Sequence, residues 1–401
     1  QDAFSGPDEP VSRLQQVEAL RVPDDALFPV SPLWRLRCCT DRAKQHLYDA
    51  TCIKTGVILT DVSQGVSDAL VGQDYLGTAT TFNGIAKWEL INRGEPAEGA
   101  LWAHAESRWD YGSTGPEELG TNSLGSAIGT ADTFSRYDVA FVLRNLYWRQ
   151  GSLDAAWVYR IGKITPDAML AQSEYLDPLS TFLPSGGTGP FAIALPDSGL
   201  GIAGGVHLTD RLVLGGLVSD ANGDRFSFGD LGAGDYFKAI ELQARIWPRT
   251  ADAPYSKVTF WHTDGTQDGQ PLNGQLGPEG WGFYVVHQQE LTCDGRAIGI
   301  LRYGRSYGGS AAYEQQAGAH FVLNEPRIFA RFKSDAIGTA FNWAKLPVPG
   351  TRDEYDFEVF YRFPLFPELD TTLSYQSVFS PALTRDIDHA SVLSLRLRTT
   401  F

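Results

Sequence analysis

The chain has 401 residues, 43% of them hydrophobic and 20% charged, with a formal net charge of −15. That is too apolar for a disordered chain, and the acidic balance, without basic patches interleaved with aromatics, excludes a nucleic-acid partner. No run of about 18 apolar residues offers a membrane-spanning helix, while 42 glycines, 12% aromatics and a single Met are the vocabulary of strands and turns.

Taken in chain order, residues 1–46 stand apart. FSGPDEPVSRLQQVEALRVPDDALFPVSP mixes prolines and acids around one short helical stretch near Arg13–Arg21. TDRAKQHLYDA, Thr40 to Ala50, has helical composition behind an N-cap threonine. No basic, apolar leader precedes it, and Gln1 is expected to be a mature terminus. Cys38, Cys39, Cys52 and Cys293 lack metal-ligand spacing, so neither zinc nor another cofactor is expected. An oxidising compartment would let Cys52 pair with Cys38 or Cys39; buried free thiols are the other reading.

From Lys54 onward helical spacing gives way to period-two alternation. In LWAHAESRWDYG, Leu101, Ala103, Ala105, Ser107, Trp109 and Tyr111 oppose Trp102, His104, Glu106, Arg108 and Asp110. SLDAAWVYRIGK (Leu153 to Ile161 against Asp154 and Arg160), FKAIELQARIW and DEYDFEVFYRF repeat the pattern. The final VLSLRLRTTF sets Leu393, Leu395 and Leu397 against Ser394, Arg396 and Arg398. Short links such as RQGS, LTDR, TCDG and PLFPE occupy every second junction, and long ones lie between them. Counting the elements gives about sixteen strands of roughly ten residues, the length of a transmembrane barrel strand.

Short turns on one rim and long loops on the other are the pattern of a bacterial outer-membrane barrel. Trp88, Trp109, Trp157, Tyr159, Phe363, Tyr375 and Phe401 fall at outward positions near strand ends, where aromatic girdles meet bilayer interfaces. The fold class expected is therefore all-β: a transmembrane antiparallel barrel over 47–401, preceded by a periplasmic extension with a short helix over 1–46. With leucines toward lipid, the interior receives Glu106, Arg108, Asp110, Arg144, Arg160, Glu241, Arg302, Arg331, Glu358, Arg362, Arg396 and Arg398, and must be wet. Phe401 would anchor the last strand at the periplasmic rim.

A wide pore needs a constriction to select. The third long connection, Ile164 to Asp197, carries Asp167, Glu174, Tyr175 and Asp177, then the flexible PSGGTGPF. Folded inward, it would set carboxylates across from wall arginines, offering paired donors and acceptors to sugar hydroxyls. Trp102, Trp148 and Tyr175 would supply flat faces to pyranose rings. The substrate site expected comprises Trp102, Glu106, Arg108, Asp110, Arg144, Trp148, Arg160, Glu174, Asp177 and Arg302. The other reading of this loop is an exterior decoration.

YRIGKITPD, the hairpin EYDFEVFYRFPLFPELDTTLSYQSVFSP and the closing DIDHASVLSLRLRTTF resemble the carbohydrate-selective outer-membrane porins of the OprB type. The resemblance covers most of the barrel and implies a sixteen-stranded porin passing glucose and related sugars by diffusion through a charged, aromatic eyelet. Ser394 stands where such a strand often has Gly, and the Cys38–Cys39 pair with Cys52 departs from the pattern.

No nucleophile elbow, zinc-protease, P-loop or dinucleotide motif occurs. Asp220, Asn222 and Asp224 mimic the start of a calcium loop, but Arg225 replaces the required Gly and no Glu takes the twelfth position; turn chemistry explains it better. The leading expectation is a non-enzymatic sugar porin in the outer membrane, among phospholipid and lipopolysaccharide, either monomeric or homotrimeric. Two rivals are an exporter of acidic, alginate-like polysaccharide and a soluble carbohydrate hydrolase using Glu106 and Asp110 as acid and base.

Overall fold

The computed structural model describes residues 6–19, 25–136, 139–152, 155–250, 253–265, 279–329 and 332–401. Arg21 of the short helical stretch, Leu153, Asp154 and Arg331 of the strand region, and residues 266–278 of one long loop lie outside them. Among the described residues sixteen strands close a barrel, each antiparallel to its sequence neighbours and the last paired with the first. They are β1 (Ile53–Val66), β2 (Leu76–Ile91), β3 (Gly99–Asp110), β4 (Val142–Ser152), β5 (Trp157–Ile164), β6 (Gly199–Thr209), β7 (Leu212–Asp220) and β8 (Tyr236–Ala244). The second half comprises β9 (Ser256–Thr263), β10 (Gly280–Glu290), β11 (Ala297–Tyr307), β12 (Gln315–Asn324), β13 (Ala336–Lys345), β14 (Glu354–Phe366), β15 (Leu369–Phe379) and β16 (His389–Thr400).

Alternation sorts the side chains as the pattern requires. On β16, Leu393 and Leu395 are 66% and 39% exposed on the outside, whereas Arg396 and Arg398 are 1% and 5% exposed within. Ile240 against Glu241 and Phe357 against Glu358 repeat this inversion of the soluble rule. An apolar exterior around a charged interior has one compatible solvent outside, hydrocarbon, and closure leaves no strand edge for lipid to meet.

One register defect matters for function. Pairing between β3 and β4 shifts at His104/Ala105 and leaves Arg144 as the extra residue. A bulge reverses the parity of every residue after it on its strand. Arg144 and Tyr147 therefore both turn inward, while Trp148 pairs with Leu101 and Ile161 on the lipid face. Strict alternation from Arg144 assigns Trp148 to the lumen; the bulge removes it.

Two helices precede the wall. α1 (Pro10–Glu18) starts with proline in its first turn and a Glu9 carboxylate that accepts from the Val11 amide at 2.9 Å. Its Leu14 and Val17 pack against Gly56 of β1, and Val11, Arg13 and Leu14 are buried. Residues 6–18, expected in a periplasmic extension, thus lie inside the barrel. α2 (Trp34–Thr51) begins six residues before Thr40, because nothing in WRLRCC breaks a helix. The Thr40 hydroxyl bonds back to the Leu36 and Arg37 carbonyls instead of capping. Arg37 near Glu368 (3.7 Å) and Tyr48 on Glu89 (3.0 Å) hold α2 at the rim of short turns.

All four cysteines are free thiols. At 1.5 Å per residue, α2 separates Cys52 from Cys38 and Cys39 by about 20 Å, far beyond the roughly 7 Å a disulfide spans. Among the described residues no helix is long and apolar enough to cross a membrane.

Candidate functional site

The interior is occupied by backbone from two long connections, which the inward wall residues hold. Residues 165–198, between β5 and β6, account for most of the contacts. Glu241 accepts from the Ala171 amide (2.7 Å), Gln288 from the Ser173 hydroxyl (2.6 Å) and Glu358 from the Leu183 amide (3.0 Å). Arg396 donates to the Pro178 and Thr181 carbonyls (2.8 and 2.7 Å) and Arg362 to Ser180 (3.1 Å). Arg302 and Gln316 both donate to the Gly186 carbonyl at 2.6 Å. Apolar anchors complete the docking: Phe182 meets Phe360 edge to face at 5.0 Å.

Residues 116–134, between β3 and β4, also enter, which sequence reasoning missed. The Glu354 carboxylate accepts from Ser126 and from the Ala127 amide (2.7 Å), and Gln64 and Gln376 grip the Thr130 carbonyl (2.8 and 2.9 Å). The Gly186 amide donates to the Ile128 carbonyl (2.8 Å), joining the two connections. Buried loop backbone must find partners, and the wall's polar residues supply them.

Residues 6–18 lie against the same structure. Arg13 is fully buried, 2.9 Å from Asp177 and 3.2 Å from Asp8. Burial alone would raise the Asp177 carboxyl; the Arg13 guanidinium, with Arg398 beyond it, outweighs burial and holds it well below the usual carboxylate range. Glu9 accepts from the Tyr147 hydroxyl and lies 3.4 Å from Arg160. The Gly6 amide donates to the Ala168 carbonyl (3.1 Å).

Where these segments meet β3 and β4, they enclose a cavity of about 310 Å³. Its charged lining is Asp8, Arg108, Glu117, Asp132, Arg144, Asp167 and Arg225; Leu176, Pro178, Pro190, Phe191 and Leu195 form apolar walls. Behind it, Glu106 accepts from Arg108 Nε (2.7 Å) and Arg144 (3.2 Å). Arg144, aimed inward by the bulge, also reaches Asp8 (2.8 Å) and Asp167 (3.4 Å). Asp132 and Asp167 open onto the cavity, yet the protein around them raises both carboxyls. Burial and the Glu117 charge push Asp132 up to about 7. Burial, opposed by Arg144, pushes Asp167 up to about 6.

Of the residues expected at the site, Arg108 and Arg144 line this cavity and Glu106 supports them. Asp110 lies higher on β3, 3.8 Å from Arg136. Trp102 turns inward toward the short-turn rim, beneath Lys87. Arg160, Asp177 and Arg302 hold backbone or the 6–18 segment, Glu174 is exposed outside the lining, and Trp148 faces lipid. Asp8, Glu117, Asp132, Arg225 and Phe191 went unrecognised. The only prior signal among them was Arg225, whose place in the false calcium loop is explained by Asp220 capping the Asn222 amide (2.9 Å) and by an ion pair with Asp197.

Sixteen strands, a lipid-facing exterior, a charged interior and short turns on one rim define the fold of bacterial outer-membrane porins. The high-pH structure of Pseudomonas putida OprB matches with a TM-score of 0.69 at 13% identity, covering 90% of this chain and 97% of that one. Its low-pH structure matches with a TM-score of 0.56 at 12% identity, covering 96% and 100%. An engineered variant of Rh. blastica porin matches with a TM-score of 0.52 at 11% identity, covering 87% and 100%. At these identities the likeness is one of fold. No protein-family model and no curated protein matches the chain.

Proposed function

We propose that the protein is an outer-membrane porin for passive diffusion of small carbohydrates, its pore narrowed by residues 165–198. The observation carrying this reading is the cavity in which three guanidinium groups and four carboxyl groups face one another beside Phe191, Leu176 and Pro190. Alternating fixed donors and acceptors suit hydroxyl pairs at any orientation of a sugar ring, and charge-assisted bonds of this kind contribute about 1.5–3 kcal/mol each. An apolar wall suits the ring's C–H face. Carboxyls outnumber guanidinium groups in the lining, which favours neutral sugars over acidic polysaccharide.

Liposome swelling tests the proposal. Proteoliposomes should swell in monosaccharides faster than in uncharged, non-sugar solutes of equal mass, and glucose should interrupt single-channel current. Equal swelling in both, with no block, would leave a general pore and remove the sugar reading.

A further inference from the structure

The charges around the cavity do not balance one for one. Each guanidinium group in its lining already faces carboxylates. Arg108 meets Glu106 (2.7 Å) and Glu117 (3.8 Å), and Arg144 meets Asp8, Glu106 and Asp167 (2.8, 3.2 and 3.4 Å). Arg225 pairs with Asp197. Asp132 stands apart: it lines the cavity with Asp8, Glu117 and Asp167, yet among the described residues it has neither a hydrogen bond nor an ion pair.

The next residue repeats the observation. Thr133 lines the same cavity and is 8% exposed, and its hydroxyl has no hydrogen-bond partner among the described residues. Buried polar groups ordinarily find partners, so two adjacent ones without any mark a place that a passing solute completes.

The wall holds both residues in position. Gln64 and Gln376 grip the Thr130 carbonyl (2.8 and 2.9 Å), and the Thr81 hydroxyl donates to the Thr133 carbonyl. Ala131 and Phe134 are fully buried on either side. Thr133 itself lies at φ 69°, a left-handed conformation that a β-branched residue keeps only where its surroundings enforce it.

The missing complement is a cation, and the geometry selects its kind. A metal ion needs several ligands converging on one point, and among the described residues no three acidic, histidine or cysteine side chains converge in this way. A primary ammonium group needs one carboxylate and gives its other hydrogens to neutral acceptors. The Thr133 and Ser185 hydroxyls of the lining supply these.

We propose that the pore prefers monosaccharides carrying a primary ammonium group beside a hydroxyl, and that Asp132 is the residue that distinguishes them from neutral sugars. Its carboxylate takes the ammonium group, and the Thr133 hydroxyl takes the neighbouring oxygen. A cavity of about 310 Å³ is at the lower end for small-molecule sites and suits one ring better than an oligomer. The inference rests on the sugar reading of the same cavity and adds the charge of the substrate to it.

The test compares block of single-channel potassium current at pH 7 by glucosamine hydrochloride, glucose and ethanolamine hydrochloride, the last an ammonium without a ring. Glucosamine should reach half-block at a concentration about tenfold below that of glucose, as one charge-assisted hydrogen bond gives. Ethanolamine should not block in that range. Asp132→Asn should bring the glucosamine-to-glucose ratio to about one. Asp388→Asn, in the exposed connection between β15 and β16, should keep the wild-type ratio. Heat-modifiable gel mobility checks that both variants fold. Equal half-block by glucosamine and glucose would overturn the proposal and leave the sugar reading standing, whereas block by neither would remove both. Ethanolamine blocking as well as glucosamine, or an undiminished ratio in Asp132→Asn, would also overturn it.

Discussion

Replacing Arg13 with alanine should free residues 6–18 from the barrel interior. Arg13 and Asp177 are both fully buried and 2.9 Å apart, and Arg13 also meets Asp8 at 3.2 Å. Removing one partner of a buried ion pair costs about 3–5 kcal/mol, because the other charge is left without compensation. Asp177 keeps the Ser180 hydroxyl (2.7 Å) and the Leu179 amide (3.0 Å), so the lower end, about 3 kcal/mol, applies. At about 1.4 kcal/mol per decade this raises the undocked population roughly a hundredfold. Single-channel recording should show a larger conductance level with far longer dwell than in wild type, and added protease should cut between 6 and 19. Adding Asp177→Asn removes the stranded charge and should restore part of the docking, giving a measurable coupling energy. Wild-type conductance and wild-type protease resistance in Arg13→Ala would refute the reasoning.

The raised carboxyls give the cavity a pH response. Asp132 (about 7) and Asp167 (about 6) are neutral well below those values and charged above them. Cation preference, read as reversal potential in a salt gradient, should therefore strengthen from pH 5 to pH 8, and Asp132→Asn with Asp167→Asn should flatten the curve. Gly6→Ala should mimic Arg13→Ala in conductance, since a Cβ there collides with the Ala168 carbonyl and the Gln172 side chain. Arg302→Ala removes the donor to the Gly186 and Thr188 carbonyls; it should lower thermal stability by about 1–3 kcal/mol and raise open-channel noise. Trp148→Ala should leave sugar block unchanged, because the ring faces lipid.

The barrel was legible because alternation is a local property: each of Leu393 to Arg398 declares its side from its neighbours alone. Strand number and rim asymmetry came from the same local counting. The site was only partly legible, since local parity says which face a residue takes and nothing about what lies opposite. Arg302, Arg396 and Glu358 were rightly placed inside, yet their role depends on carbonyls and amides more than a hundred residues away. Arg13 reads as an ordinary helix-surface residue until Asp177 is brought beside it. Trp148 failed for a different reason: one inserted residue at Arg144 reverses every assignment after it, and no composition signal marks a bulge.

The clamps on residues 165–198 fix an order of events during biogenesis. That connection follows β5 in the chain, whereas its partners Glu241, Arg302, Glu358 and Arg396 belong to β8, β11, β14 and β16, and Gln16 meets Arg398 (2.6 Å) on the last strand. Residues 165–198 therefore have their full set of partners only once β8, β11, β14 and β16 are all in place.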